Sequence, residues 1–206
     1  MLLQIHPVDP QPRNIKTVVE CLLDGGVIIY PTDTIYGIGC NIFDACAISR
    51  IARIKGLDVK KAQFSFICSD LSHLSDYAKS VDTPIFRMLK AALPGPYTFL
   101  LEASKQVPKQ LKTKKDTVGI RIPDNRICSM IVKELGHPLM SASLPMDGDV
   151  EYYTDPELMY ERFGKLVDIV IDGGIGHTLS STVVDCTTGA PILVREGAGE
   201  WEKLIS

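Results

Sequence analysis

The sequence predicts a single α/β domain built on a mixed sheet, and three observations lead there. Short apolar segments of strand character alternate with amphipathic segments of helical period along most of the chain. Two closely spaced strands near residue 190 are joined by a tight turn, which makes an antiparallel hairpin. No repeat, low-complexity stretch or linker divides the 206 residues, so residues 1–206 read as one domain. A chain of this length buries about 70% of its unfolded surface, enough for a core without disulfides or a metal.

Leu2–His6 alternates weakly, as an edge strand does. Arg13–Asp24 is a helix, because Ile15, Val18, Val19, Leu22 and Leu23 share one face, and Gly25-Gly26 ends it. Val27–Tyr30 is a short, fully apolar strand, followed by a glycine-punctuated segment over Thr34–Cys40. Asp44 is the N-cap of a helix over Asp44–Lys55. Phe64–Cys68 reads as a strand and Ser69–Ala78 as a short helix. Thr83-Pro84 supplies an N-cap and first turn for a helix to Leu93. Leu93-Pro-Gly-Pro96 is a stiff turn delivering the strand Tyr97–Glu102. Thr117–Ile122 is an alternating strand, Asn125–Leu135 a helix closed by Gly136, and Pro138–Ser143 a strand. Asp155-Pro156 opens a helix through Val167, and Asp168–Ile171 is a strand closed by Gly173-Gly174. Ser181–Cys186 and Pro191–Arg195, with their turn at Thr187–Ala190, form the hairpin.

Composition removes several classes of function. With 45% hydrophobic and 23% charged residues the chain is an ordinary globular protein, not a disordered one. Its longest apolar runs fall far short of the roughly 20 residues that span a bilayer, and Pro7 and Pro10 interrupt any apolar leader. A cytoplasmic protein without a membrane partner is expected. Six cysteines lack any C-x-x-C pairing and read as small buried hydrophobes in a reducing compartment. The four histidines show no metal-ligand spacing, so no metal ligands are expected. A net charge of −3 gives no global pull toward nucleic acid, and any anion site must be local.

Chemistry concentrates where strands end. Tyr30-Pro-Thr-Asp-Thr-Ile-Tyr-Gly37 presents hydroxyls, a carboxylate and a phenol directly after a buried strand, where ligands bind in open α/β sheets. A polar turn satisfied by its own hydrogen bonds explains the same residues equally well. Arg50, Arg53, Lys55, Lys60 and Lys61 read first as a solvated helix end. Lys55 and Lys61 gain interest from the neighbouring Pro-Thr-Asp-Thr unit. Arg121, in the middle of an alternating strand, either points to solvent or reaches a planar anion. Ser141-Ala-Ser143, Ser180-Ser-Thr182 and Val194-Arg-Glu-Gly197 add hydroxyls and a second arginine. No phosphate loop of the G-x-x-x-x-G-K-[ST] type and no G-x-G-x-x-G exists. Strand-end hydroxyls and arginines without a nucleophile–base pair indicate a site that positions anionic substrates and stabilises charge. Lys105, Lys109, Lys112, Lys114 and Lys115 could contact a phosphate backbone, although a solvated loop is the simpler reading.

Six motifs in one order resemble the YrdC/YciO/Sua family over residues 10–197: Tyr30-Pro-Thr-Asp-Thr-Ile-Tyr-Gly37, Leu93-Pro-Gly-Pro-Tyr-Thr-Phe99, Val118-Gly-Ile-Arg-Ile-Pro123, Ser141-Ala-Ser143, Ser181-Thr-Val-Val-Asp185 and Arg195-Glu-Gly197. The resemblance implies a twisted mixed sheet, parallel and antiparallel, with helices on its faces and a concave positive cavity. It implies threonylcarbamoyl-AMP synthesis from ATP, L-threonine and bicarbonate with release of pyrophosphate, in the service of tRNA modification. It also implies an association with double-stranded RNA. ATP would enter as a substrate with Mg2+, and no tightly bound cofactor is expected. Carried over by position, Thr32, Arg121 and Ser181 would hold threonine. Lys55 and Thr98 would be catalytic, facing the phosphates and the carbamoyl group, and Lys55, Lys61, Ser141, Ser143 and Arg195 would bind ATP.

Three positions depart from the synthase pattern. Lys55-Gly-Leu57 replaces Lys-x-Arg, Ser143-Leu-Pro145 replaces Ser-x-Asn, and a polar position in the strand after the second helix falls near Phe66. These departures are nearest to the YciO branch and imply weak synthase activity. The alternatives are a related adenylate or carbamoyl reaction in the same cavity, or a double-stranded RNA-binding module.

Overall fold

Val27–Tyr30 (β2) is buried on both faces, which explains why its four residues are all apolar instead of alternating. A computed structural model, which describes residues 1–58, 64–111, 116–144 and 149–205, places this strand well inside a ten-stranded sheet. In chain order the elements before the middle of the sequence are β1 (Leu2–Gln4), α1 (Pro12–Leu23), β2, β3 (Gly37–Asn41), α2 (Ala45–Ile54), β4 (Ser65–Ile67), α3 (Leu74–Tyr77), α4 (Thr83–Ala92) and β5 (Tyr97–Glu102). After them come β6 (Thr117–Arg121), α5 (Arg126–Leu135), β7 (Leu139–Ser143), α6 (Glu151–Thr154), α7 (Pro156–Phe163), β8 (Ile169–Asp172), β9 (Thr182–Asp185), β10 (Ile192–Arg195) and α8 (Trp201–Ile205). The strands lie in the order β1-β8-β2-β3-β7-β4-β6-β5-β9-β10. Parallel pairs (β1 with β8, β2 with β8, β4 with β6, β5 with β9) are mixed with antiparallel ones. The fold is the mixed α/β sheet that the sequence predicts, and Leu2–Gln4 is an edge strand as expected.

Caps set several helix ends. Asp44 accepts from the Ala47 amide at 2.7 Å and Asn125 from the Cys128 amide at 3.1 Å, each relieving an orphan donor of the first turn. Gly136 closes α5 with φ at +79°, a conformation open to glycine. Four expectations are corrected. The N-cap of α4 is Asp82, and Thr83 is already helical. The helix expected over 69–78 is a single turn, because Asp70 accepts from the Ser72 amide and hydroxyl and holds a local turn before it. The helix from Pro156 stops at Phe163, where the Leu166 and Val167 amides both return to the Phe163 carbonyl. The glycine-punctuated segment is half strand, as Gly37–Cys40 of β3 pair antiparallel with all four residues of β2. A Cβ at Gly39 would sit 2.7 Å from the Met140 carbonyl oxygen, so this glycine permits the close pairing of β3 with β7.

The two faces of the sheet have separate apolar layers. On one face α1 and α5 pack Ile15, Val18, Leu22, Ile127, Ile131 and Leu135 against Ile28, Tyr30, Ile169 and Ile171. On the other, α2, α4 and α7 pack against Val27, Ile29, Ile38, Phe66, Phe99, Ile120 and Met140. The first layer lies over the β8–β2 side of the sheet. Thr98, Leu100 and Arg121, on β5 and β6, belong to neither layer and line an open cavity instead. Cys40, Cys68, Cys128 and Cys186 are buried, and burial pushes the Cys68 and Cys186 thiols up to about 12. Cys46 is exposed and Cys21 partly so, which corrects the reading of the cysteines as uniformly buried. Among the described residues no helix is long and apolar enough to cross a membrane.

Two substitutions separate packing from capping. Leu22 is fully buried under α1, and Leu22→Ala is expected to cost about 2–5 kcal/mol through lost contacts and a residual cavity. Asn125→Ala removes one cap bond and is expected to cost about 1 kcal/mol. Urea unfolding of both variants, with equal slopes, checks the order.

Candidate functional site

The floor of the cavity follows from strand register. Leu100 on β5 lies opposite Gly119 on β6, Gly119 opposite Ser65 on β4, Ser65 opposite Ser141 on β7, and Ser141 opposite Gly39 on β3. Residues paired across strands point to the same face, so this row forms one continuous surface. Gly119 keeps its middle low: a Cβ there would come within 3.3 Å of Ser65 Oγ and 3.4 Å of Thr98 Cγ2. Around the row the cavity is walled by Thr98, Arg121, Ser143, Ser181, Val183 and Arg195. Its enclosed part measures about 120 Å³, less than the 300–1,000 Å³ of drug-sized sites. A compact polar group fits inside, and the rest of a larger ligand would lie across the open mouth.

Arg121 ends β6 and is 8% exposed. Its Nη2 donates to Thr32 Oγ1 at 3.0 Å, Asp33 Oδ1 at 2.5 Å and Thr34 Oγ1 at 2.6 Å. The anion that the sequence reading sought for this arginine is therefore first of all Asp33, inside the Pro-Thr-Asp-Thr turn. The turn is also tied to itself, since Thr32 Oγ1 donates to the Ile35 carbonyl and accepts from the Thr34 amide. Asp33 Oδ2 accepts from the Asp124 amide at 3.1 Å, which anchors the segment after β6. Arg121 Nε is buried without a hydrogen-bond partner among the described residues.

Thr98 and Ser181 face each other with their hydroxyls 2.8 Å apart and buried. Arg195 Nη2 donates to the Ser181 carbonyl at 2.8 Å. A bulge between Leu193 and Arg195 decides which residue of β10 comes opposite Val183. One extra residue moves Arg195 into that place, so it shares the cavity with Val183. Partial loss of hydration, and then the positive charge of Arg121, lower the Arg195 pKa. Two cations disfavour each other across one cavity, and an anionic ligand would relieve both.

At the far rim the Lys55 ammonium, at the C-cap of α2, donates to the Ser143 carbonyl. Burial lowers its pKa. Arg50 is held by Asp168 at 2.7 Å and by the Leu166 carbonyl, so it is a structural tie rather than a solvated cation. Leu57 is 45% exposed just beyond Lys55. Lys60, Lys61, Lys112, Lys114, Lys115 and Pro145 lie outside the described residues. The structure thus brings Thr32, Thr98, Arg121, Ser141, Ser143, Ser181 and Arg195 together, with Lys55 beside Ser143.

Sequence reasoning missed Ser65 and Val183, which line the cavity beside Tyr36, the phenol of the first motif. It looked to Phe66 for the polar position of β4, but Phe66 is 1% exposed in the opposite apolar layer. Strand alternation puts its neighbour Ser65 on the cavity side, a signal already present in Phe64–Cys68. Tyr36 is held by its hydroxyl, which donates to the Gly174 carbonyl at 2.7 Å and accepts from the Gly173 amide.

Residues 20–197 match the Sua5/YciO/YrdC family model, described as "Telomere recombination". The chain is 43% identical over 197 residues to the Escherichia coli K12 protein named "Uncharacterized protein YciO", covering 95% of each. The crystal structure of E. coli YciO superposes with a TM-score of 0.91, at 42% identity and 97% coverage of both chains. Over 183 residues it is 29% identical to the threonylcarbamoyl-AMP synthase of Coxiella burnetii, covering 88% of this chain and 97% of that one. The structure of Pyrococcus abyssi Sua5 complexed with L-threonine matches with a TM-score of 0.88 at 25% identity, over 99% of this chain and 59% of that chain. With the family model spanning most of its length and the same sheet in a close relative, this chain belongs to the Sua5/YciO/YrdC family.

Proposed function

We propose that the cavity binds L-threonine and the phosphates of ATP and forms threonylcarbamoyl-AMP, slowly, for the modification of tRNA. The observation that carries this reading is the pairing of Arg121 and Arg195 across one cavity. Arg121 Nε is buried and lacks an acceptor among the described residues, and the charge of Arg121 helps to lower the Arg195 pKa. Such a pair suits a ligand with two anionic parts, and a threonine carboxylate and a triphosphate supply them. The names of the C. burnetii and P. abyssi relatives support the choice.

In this reading the threonine ammonium first gives its proton to solvent, the neutral amine attacks the bicarbonate carbon, a C–N bond forms, and one water leaves to give a carbamate. A carbamate oxygen then attacks the α-phosphorus of ATP, and the α–β anhydride bond breaks with pyrophosphate taking the electron pair. Magnesium travels with the nucleotide as part of the substrate. Thr32, Arg121 and Ser181 hold threonine, and Ser141, Ser143 and Arg195 hold phosphate oxygens, together with Lys61. Lys55 and Thr98 face the developing charge. Pyrophosphate release from ATP and bicarbonate, measured with and without threonine, tests the proposal. Release that ignores threonine overturns it in favour of another reaction in the same cavity.

The two arginines should separate in their effects. Arg121→Ala leaves Asp33 as an uncompensated carboxylate whose side chain is 9% exposed, and an expected loss of about 3–5 kcal/mol in stability accompanies any loss of binding. Arg195, at the exposed rim, gives up one bond to a carbonyl. Arg195→Ala is expected to melt near the wild-type temperature while ATP affinity falls roughly ten-fold or more. Calorimetry for binding and thermal unfolding for stability distinguish them.

Lys55 makes the site sensitive to alkali. Burial lowers its pKa, so as pH rises its charge is lost earlier than that of an ordinary lysine. ATP affinity should decline over that alkaline range, and Lys55→Arg should remove the decline because arginine stays charged. A pH series of ATP titrations checks both.

Leu57 explains the slowness. It is 45% exposed and gives the phosphates no donor. Leu57→Arg is expected to leave the melting temperature unchanged and to raise the rate roughly ten-fold or more, since one charge-stabilising donor is typically worth about 10²–10³ in rate. Adding Pro145→Asn should raise it further. Chromatography of the product decides between this and a dispensable position.

A further inference from the structure

Ser141 stands in the middle of the cavity floor and is 5% exposed. Behind it Tyr30, the last residue of β2, is fully buried, and its hydroxyl donates to Ser141 Oγ at 2.5 Å. The contact depends on Gly37: a Cβ there would lie 3.1 Å from the Tyr30 hydroxyl and 3.2 Å from Ser141 Oγ. Among the described residues Ser141 Oγ accepts this bond and donates none, although a serine hydroxyl carries one hydrogen of its own. Burial raises the Tyr30 pKa, so the phenol keeps its proton throughout the physiological range.

We propose that Tyr30 is a positioning residue that holds Ser141 as a hydrogen-bond donor toward an anionic phosphate oxygen of the ligand. With one lone pair engaged from behind by the phenol, the serine presents its hydrogen to the cavity. A phosphate oxygen has no proton to give and can only accept. The arrangement therefore favours an acceptor at this spot. A donor that is itself accepting a bond is polarised and binds an anion more strongly. The inference rests on the reading of this cavity as a nucleotide site.

Calorimetry with ATP, and with adenosine as a probe lacking phosphates, tests it on the wild type, Tyr30→Phe, Ser141→Ala and the double variant. Tyr30→Phe and Ser141→Ala should each weaken ATP by roughly ten-fold. The double variant should match Ser141→Ala within about two-fold, because Tyr30 acts only through Ser141. Adenosine affinity should not change. If Tyr30→Phe weakens both probes alike, or adds its full effect to Ser141→Ala, its role is general packing and the proposal falls. Unchanged ATP binding by Tyr30→Phe removes Tyr30 alone, whereas a wild type that binds no ATP removes the nucleotide reading and this inference with it. If Tyr30→Phe does not fold, proton NMR of the unaltered protein, with its tyrosines isotopically labelled, replaces it. ATP but not adenosine should shift the Tyr30 hydroxyl proton, and no shift overturns the proposal.

Discussion

The ion pair between Arg121 and Asp33 is the constraint on which the site is built. Both side chains are about nine-tenths buried, at 10% and 9% exposure. A buried pair returns its desolvation cost only when its remaining donors and acceptors are satisfied. Thr32, Thr34 and the Asp124 amide do most of that work. Through one guanidinium the turn after β2 is joined to the end of β6, four places away in the sheet. The hydroxyls of the Pro-Thr-Asp-Thr turn are therefore structural and site-forming at once. Of the two explanations of this turn that were even on sequence, the turn satisfied by its own hydrogen bonds is the one these contacts display.

The cavity exists because of what fails to cover the sheet. The helical layer of α1 and α5 lies over the β8–β2 side, and the same face of β5 and β6 carries Thr98, Leu100, Gly119 and Arg121 toward open space. Gly119 keeps the floor low. The charge set upon that floor is uneven. Asp33 offsets Arg121, while Arg195 and Lys55 are anchored by carbonyls, which take hydrogen bonds without neutralising charge. The surplus is positive and local, in a chain whose net charge is −3.

Much of the fold was legible from residues that act locally. Asp44, Asn125 and Gly136 cap helices through bonds and dihedrals within a few residues, so their elements appear where the sequence puts them. The hairpin of β9 and β10 is likewise short-range. Errors came where a distant group decided. The glycines of β3 look like interruptions until Met140 is seen against Gly39 and Tyr30 against Gly37. The Ser65 and Phe66 assignment failed because one residue of register exchanges the two faces of a strand. The bulge that turns Arg195 inward depends on its pairing with Val183, which the residue types alone do not encode.

By itself the sequence determined most helices and strands, the order of the motifs, and the residue types of a candidate anion site without a nucleophile–base pair. Period, caps and turn chemistry are properties of neighbours along the chain. Only the tertiary structure decided that Arg121 meets Asp33, that Tyr30 stands behind Ser141, and that Thr98 touches Ser181. These pairs are 88, 111 and 83 residues apart in sequence. Such contacts are set by strand order and register, which depend on how the whole sheet buries its apolar faces.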